Sequence, residues 1–357
     1  QLPEETLLIV DAYQGTIYVS PDEEVQQAFT ANLRARSEPV DTDALPAETY
    51  TRDGVRIEIQ ANINISHDVN TARRYKAESI GLYRSEFPFL VRNDFPSEDE
   101  QYRIYRRVIG TMGKRDAVLR TLDIGGDKVL AQPELVESNP FLGYRGIRFS
   151  LGNEDLFRDQ LRAMLRAGRD VTLKILLPLI SSVDEFLASQ EILHSCLADL
   201  SKESVPHNEA PLLGAMVELP AAVESIDGLS RHADFLSVGT NDLVMYMLAV
   251  DRTNERIGFM YKDYHPAVLR ALARVSQAAA DHGTPISMCG DAAADPAMLD
   301  FFLGVGFRVF SVEPAQIPDM KRSLPGKSVA DAQRVAQTLL GMETVAEVES
   351  FIHGSRG

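Results

Sequence analysis

Eight short β-rich runs recur along most of the chain, at 55–64, 80–87, 118–124, 173–181, 213–219, 235–238, 286–288 and 308–312. Stretches with helical signals lie between them. Ser97-Glu98-Asp99-Glu100 and Ser182-Val183-Asp184-Glu185 each read as a capping box that opens a helix. The runs are largely apolar rather than alternating, as expected of strands covered on both faces. Eight strand–helix repeats predict an α/β protein, a (β/α)8 TIM-type barrel. A doubly wound open sheet fits the same strand count and is the structural alternative.

The segment before this rhythm reads differently. Residues 7–12 and 16–19 are short apolar runs around Gln14-Gly15, the pattern of a hairpin, and two strands alone make no independent domain. Residues 21–36 turn polar and helical, and 37–47 are acidic and contain proline. The expected organisation is a hairpin remnant over 1–20, a helical linker over 21–50 and the barrel over 51–357. The 45% hydrophobic and 25% charged residues suit a chain that buries a real core. No apolar stretch approaches a membrane span, and no signal-peptide pattern follows Gln1, so a cytoplasmic location is expected. A net charge of −16 argues against nucleic acid and anionic membranes as partners. An anionic substrate would need a local cluster of cations.

Such a cluster falls in phase with the predicted strand ends, where loops from every barrel strand converge and catalytic groups sit. Arg84 with Glu86, Arg120 with Asp123 and Lys128, Glu218, Asn241 with Asp242, Arg252, and Cys289 with Asp291 all lie at or just beyond a run. Glu218 and Asp242, without a nearby His or Cys, suit a hard divalent cation such as Mg²⁺, with Mn²⁺ as a substitute. Either could instead only cap a following helix. Arg84, Arg120, Arg145 and Arg252 are of the residue type that holds phosphate and carboxylate through a planar fork. Gly125-Gly126 and Gly239 let backbone N–H groups approach an oxyanion. Cys289, at the end of the seventh run, is a candidate acid or nucleophile; a buried inert thiol is the usual fate of a lone cysteine and is the reading for Cys196. The seven histidines share no motif and none lies in a Gly-rich segment suited to a phosphocarrier.

These segments resemble the C-terminal part of enzyme I of the bacterial phosphotransferase system over nearly the whole chain. The resemblance is carried by Gly81-Leu82-Tyr83-Arg84-Ser85-Glu86-Phe87, by Arg120-Thr121-Leu122-Asp123-Ile124-Gly125-Gly126-Asp127-Lys128 and by Asn139-Pro140-Phe141-Leu142-Gly143-Tyr144-Arg145-Gly146-Ile147-Arg148. It continues in Ser237-Val238-Gly239-Thr240-Asn241-Asp242-Leu243 and Leu248-Ala249-Val250-Asp251-Arg252. The variants Glu218-Leu219-Pro220-Ala221-Ala222-Val223 and Tyr264-His265-Pro266-Ala267-Val268-Leu269 look closer to the nitrogen-related branch than to the sugar branch.

The resemblance implies phosphoenolpyruvate as substrate and pyruvate as product, with Glu218 and Asp242 holding Mg²⁺. It implies a phosphate grip by Arg84, Arg120 and Arg252, assisted by Asn241 and Lys128, with Arg145 nearby. Cys289 would deliver a proton to the enolate, and Asp291 is expected to relay that proton, through a water. The phosphorylatable histidine would lie in a swivelling domain of which residues 1–20 are the last part. A homodimer and an HPr-like phosphocarrier are the implied partners. The chain departs from the pattern where Asp291 stands for Glu, where Ser311-Val312-Glu313 replaces Ser-Met-Asn or Ser-Met-Ser, and mildly where Ser85 stands for Thr. The competing readings are a barrel of the pyruvate phosphate dikinase or phosphoenolpyruvate synthase kind, disfavoured by the lack of a nucleotide-binding motif, and a regulatory module that senses phosphoenolpyruvate without turnover.

Overall fold

The computed structural model describes residues 6–11, 16–21, 25–26, 29, 41–90, 94–113, 115–124, 137 and 139–354. The chain divides into two compact units, Gln1–Ala44 and Leu45–Gly357. In the first, Leu8–Asp11 and Thr16–Val19 pair antiparallel, with Leu8 opposite Val19. The expected turn at Gln14-Gly15 and most of the expected 21–36 helix lie outside the described residues.

The second unit is a closed barrel of eight parallel strands: β1 (Arg56–Ile63), β2 (Ile80–Arg84), β3 (Ala117–Arg120), β4 (Leu173–Leu177), β5 (Leu212–Val217), β6 (Phe235–Val238), β7 (Ile286–Met288) and β8 (Val309–Val312). Closure comes from β8 on β1, with Val309 beside Glu58 and Val312 beside Ala61. This excludes the open sheet, which would leave two edges. The short strand Thr49–Tyr50 runs antiparallel to the start of β1.

Both sequence-predicted capping boxes are present. Ser97 Oγ accepts from the Glu100 N–H and opens α1 (Glu98–Met112); Ser182 does the same for Glu185 and α2 (Val183–Lys202). His265 caps α3 (Pro266–His282), its Nδ1 accepting from the Ala267 N–H. No helix among the described residues is long and apolar enough to cross a membrane.

The strand faces divide the labour. Ile57, Ile59, Ala61 and Ile63 of β1 pack outward with the helices, in one large cluster that includes Tyr105, Val108 and Leu161. Leu82, Val118, Leu176, Met216, Phe235 and Cys289 form a separate cluster inside the barrel. The expectation of largely apolar, non-alternating strands fails at β1, which alternates strictly. Its other face carries Gln60 and Asn62, and Asn62 is buried by donating to the Cys289 carbonyl at 3.2 Å and accepting from Ser311 Oγ at 2.7 Å. A buried amide is tolerated only where its donors and acceptors are met in this way.

Candidate active site

The C-terminal strand ends open onto a cavity of about 320 Å³. Of the ten residues expected to bind substrate, hold metal or act in catalysis, nine line it: Arg84, Arg120, Arg145, Glu218, Asn241, Asp242, Arg252, Cys289 and Asp291, with Asp123 beside them. Lys128, the tenth, lies outside the described residues, as does Gly125-Gly126.

Arg84 and Arg120 end adjacent strands and are register partners, so their side chains rise side by side. Arg120 is buried. Its Nη2 donates to Glu86 Oε1 at 2.5 Å and lies 3.6 Å from Asp123 Oδ2, while its Nε is buried without a partner among the described residues. Burial opposes the guanidinium charge, but Glu86, Asp123 and Glu218 outweigh it and the group stays protonated. Arg145 grips Asp123 with a two-pronged contact, Nε to Oδ1 at 3.1 Å and Nη2 to Oδ2 at 2.7 Å. The same Nη2 reaches Asp242 Oδ2 at 3.2 Å, and Nη1 reaches the Tyr246 hydroxyl at 3.2 Å. Arg145 therefore ties the loop after β3 to the one after β6. Arg252 is half-exposed and 3.5 Å from Asp291 Oδ2.

The two candidate metal ligands are held from behind. Glu218, one residue past β5, is buried, and its Oε1 accepts from the Leu179 N–H at 2.6 Å. Burial, and then the Asp242 carboxylate, push its pKa up to about 8. A side chain at Gly239 would place a Cβ 2.8 Å from Glu218 Oε2, so glycine there leaves room for the carboxylate. Asp242 lies in the first turn of α4 (Thr240–Leu248). Glu218 Oε2 and Asp242 Oδ1 take no hydrogen bond among the described residues, and no third His, Cys, Asp or Glu completes a metal cage there. Two hard carboxylates with free oxygens and no cage fit Mg²⁺, which keeps its remaining positions for water and substrate oxygens. Charge points the same way. Among the described residues around the mouth, six carboxylates (Glu86, Asp123, Glu218, Asp242, Asp291 and Glu313) outnumber four arginines, and a divalent cation between Glu218 and Asp242 would relieve the repulsion that raises Glu218.

Cys289 follows β7 and is buried. Ser237 Oγ donates to its sulfur at 3.0 Å, and the thiol lies 3.4 Å from the Val238 carbonyl. Burial pushes its pKa up to about 11, so at neutral pH it is a thiol that can give a proton. Asp291 donates its N–H to Asn241 Oδ1 at 2.8 Å and turns its carboxylate toward Arg252 and solvent; it makes no hydrogen bond to Cys289. Cys196 is buried within α2, away from this cavity.

Three contributors escaped the sequence reading. Tyr246 stands one helical turn after Asp242, a spacing that could have marked it. Asn64, which accepts from Arg84 Nη1 at 3.0 Å, continues the polar face of β1. Leu179 adopts φ +54°, and nothing in Leu177-Pro178-Leu179 announces a left-handed residue.

Residues 40–328 match the family described as PEP-utilising enzyme, PEP-binding domain. A phosphoenolpyruvate-protein phosphotransferase of Geobacillus stearothermophilus is 39% identical over 97% of this chain and 60% of its own length. One of Haloferax volcanii is 40% identical over 97% of this chain and 61% of its own. A multiphosphoryl transfer protein of Xanthomonas campestris is 39% identical over 96% of this chain and 41% of its own. The chain thus spans about three fifths of the phosphotransferases it matches.

Proposed function

The chain belongs to the PEP-utilising enzymes, as their PEP-binding domain, and from that membership we propose that it is the phosphoenolpyruvate-binding catalytic part of a phosphoenolpyruvate-protein phosphotransferase. The observation that carries the reading is the convergence of Arg84, Arg120, Arg252, Glu218, Asp242 and Cys289 on one cavity. In this reading Arg84, Arg120 and Arg252 bind the phosphate, with Asn241 and Lys128 assisting. Phosphoryl transfer asks mainly for such positioning and charge neutralisation. Arg120, whose Nε has no partner among the described residues, is already oriented by Glu86 and Asp123. Glu218 and Asp242 would hold Mg²⁺, which when bound neutralises charge on the substrate's carboxylate and phosphate. Arg145 holds Asp242 and Asp123 in place. Cys289 gives a proton to the methylene carbon of the enolate left when the phosphoryl group departs, with Asp291 as relay through water.

The acceptor is proposed to be a histidine outside these 357 residues, serving an HPr-like carrier, and the variants at 218–223 and 264–269 support the nitrogen-related branch. A cytoplasmic setting and a homodimer follow from the same resemblance, and exposed Leu142, Phe259 and Met260 offer apolar surface for self-association. The test is reconstitution with phosphate-labelled phosphoenolpyruvate and Mg²⁺. Label should reach a separately supplied phosphohistidine domain of a relative and stay off all seven histidines of this chain. Transfer will be slow, because linkage would have supplied a much higher effective concentration. Rapid labelling of any of the seven would overturn the assignment.

A further inference from the structure

The Arg84 guanidinium carries an occupant of its own. Glu313, the first residue after β8, places Oε1 3.2 Å from Arg84 Nη1. Asn64 closes a ring, accepting from Arg84 Nη1 at 3.0 Å and donating from Nδ2 to Glu313 Oε2 at 3.4 Å. The pair differs from the other ion pairs of the mouth. Arg120 with Glu86 and Arg145 with Asp123 are nearly sealed from water, at 8% and less side-chain exposure, and serve as framework. Arg84 and Glu313 are 29% and 36% exposed, where a contact can open and re-form in water at little cost. Arg84 lines the cavity, whereas Glu313 is not among its lining residues. Position 313 is also one where this chain departs from the enzyme I pattern, having a carboxylate in place of a neutral residue.

We propose that Glu313 sets the affinity of the site for phosphate, as an internal anion that competes with the incoming phosphate for Arg84. The inference rests on the reading of the cavity as a phosphoenolpyruvate site. A phosphate entering the mouth must draw Arg84 away from Glu313 or bind beside a carboxylate that repels it. Either way part of the attraction is offset. Glu313 thereby holds down the affinity for ligands whose phosphate meets Arg84, leaves ligands that do not meet Arg84 unaffected, and eases departure of the substrate when no transfer follows.

The test compares the chain with Glu313→Gln, which keeps the shape and one acceptor oxygen but removes the charge, and with Glu313→Asp, which keeps the charge. Phosphoenolpyruvate and pyruvate are titrated separately in Mg²⁺. Glu313→Gln should bind phosphoenolpyruvate on the order of tenfold more tightly, with pyruvate affinity unchanged, because pyruvate lacks the phosphate that meets Arg84. Glu313→Asp should return toward the parent. In the reconstituted reaction KM should fall with little change in kcat. If the parent binds phosphoenolpyruvate and Glu313→Gln binds it equally or less tightly, Glu313 only positions Arg84 and the proposal fails. If both ligands tighten alike, the effect is one of overall charge and the proposal fails. If neither protein binds phosphoenolpyruvate, the proposed function fails and takes this inference with it.

Discussion

Replacing Arg120 by alanine should weaken phosphoenolpyruvate binding and destabilise the barrel together. A charge-assisted contact to phosphate contributes roughly 1.5–3 kcal/mol, so losing it predicts an affinity loss of about ten- to a hundredfold. The stability effect has a separate origin. Glu86 and Asp123 are buried at 5% and 2% exposure, and Arg120 compensates both. Removing the cation strands the buried Glu86 carboxylate, whereas Asp123 keeps Arg145, and breaking such a buried pair costs about 3–5 kcal/mol. The double variant Glu86→Gln/Arg120→Ala separates the two. It should regain much of the thermal stability, since one stranded charge is gone, yet recover no binding. Calorimetric titration beside thermal melts reads both quantities. Normal binding by Arg120→Ala would remove Arg120 from the phosphate grip. Lysine at 120 should rescue only in part, because its ammonium cannot reproduce the fork.

Cys289→Ala should behave in the opposite way, keeping binding and losing chemistry. The substitution removes one sulfur from a site packed by Ser237 and the Val238 carbonyl, and neither Arg84, Arg120, Glu218 nor Asp242 leans on it. The variant should therefore bind phosphoenolpyruvate and Mg²⁺ as before. Deuterium entry into the methyl group of pyruvate, with a phosphohistidine domain supplied, should fall by about 10²–10⁴, the range expected of a positioned proton-transfer group. The pH dependence carries a sign. Burial raises the thiol to about 11, so taking a proton from pyruvate needs a thiolate that is scarce at pH 7. The exchange rate should therefore climb with pH through the neutral range rather than fall. Asp291→Ala, if Asp291 relays the proton through water, should slow exchange while sparing binding. Unchanged exchange in Cys289→Ala would return that cysteine to an inert packing role.

What could be read in advance follows from the range of the interactions involved. The eight strands were legible because each is a local run bounded by local signals, and Ser97 and Ser182 mark helix starts through contacts three residues long. The strand-end residues were legible for the same reason, since a parallel barrel puts every strand end on one rim. Pairing across that rim was not legible. Arg145 meets Asp242 across 97 positions and Arg84 meets Glu313 across 229; no spacing rule spans loops that closure alone brings together. Glu313 was visible as a mismatch, but its partner was not. The polar inner face of β1 was misread because its outward residues are apolar, and alternation there reports a hydrogen-bonded lumen rather than solvent. Leu179 shows the limit most clearly: its N–H holds Glu218 only because the backbone takes a conformation that leucine disfavours.

The central claim is that the arginines of the cavity and the Glu218–Asp242 pair form a phosphoenolpyruvate site that a divalent cation completes. Calorimetric titration of the chain with phosphoenolpyruvate, once in Mg²⁺ and once in chelator, measures this directly. Binding should be tighter in Mg²⁺ by on the order of a hundredfold, as a dication neutralising both carboxylates and phosphate would provide, and Asp242→Asn should erase most of that difference. Equal affinity with and without Mg²⁺, or no binding in either, would contradict the account.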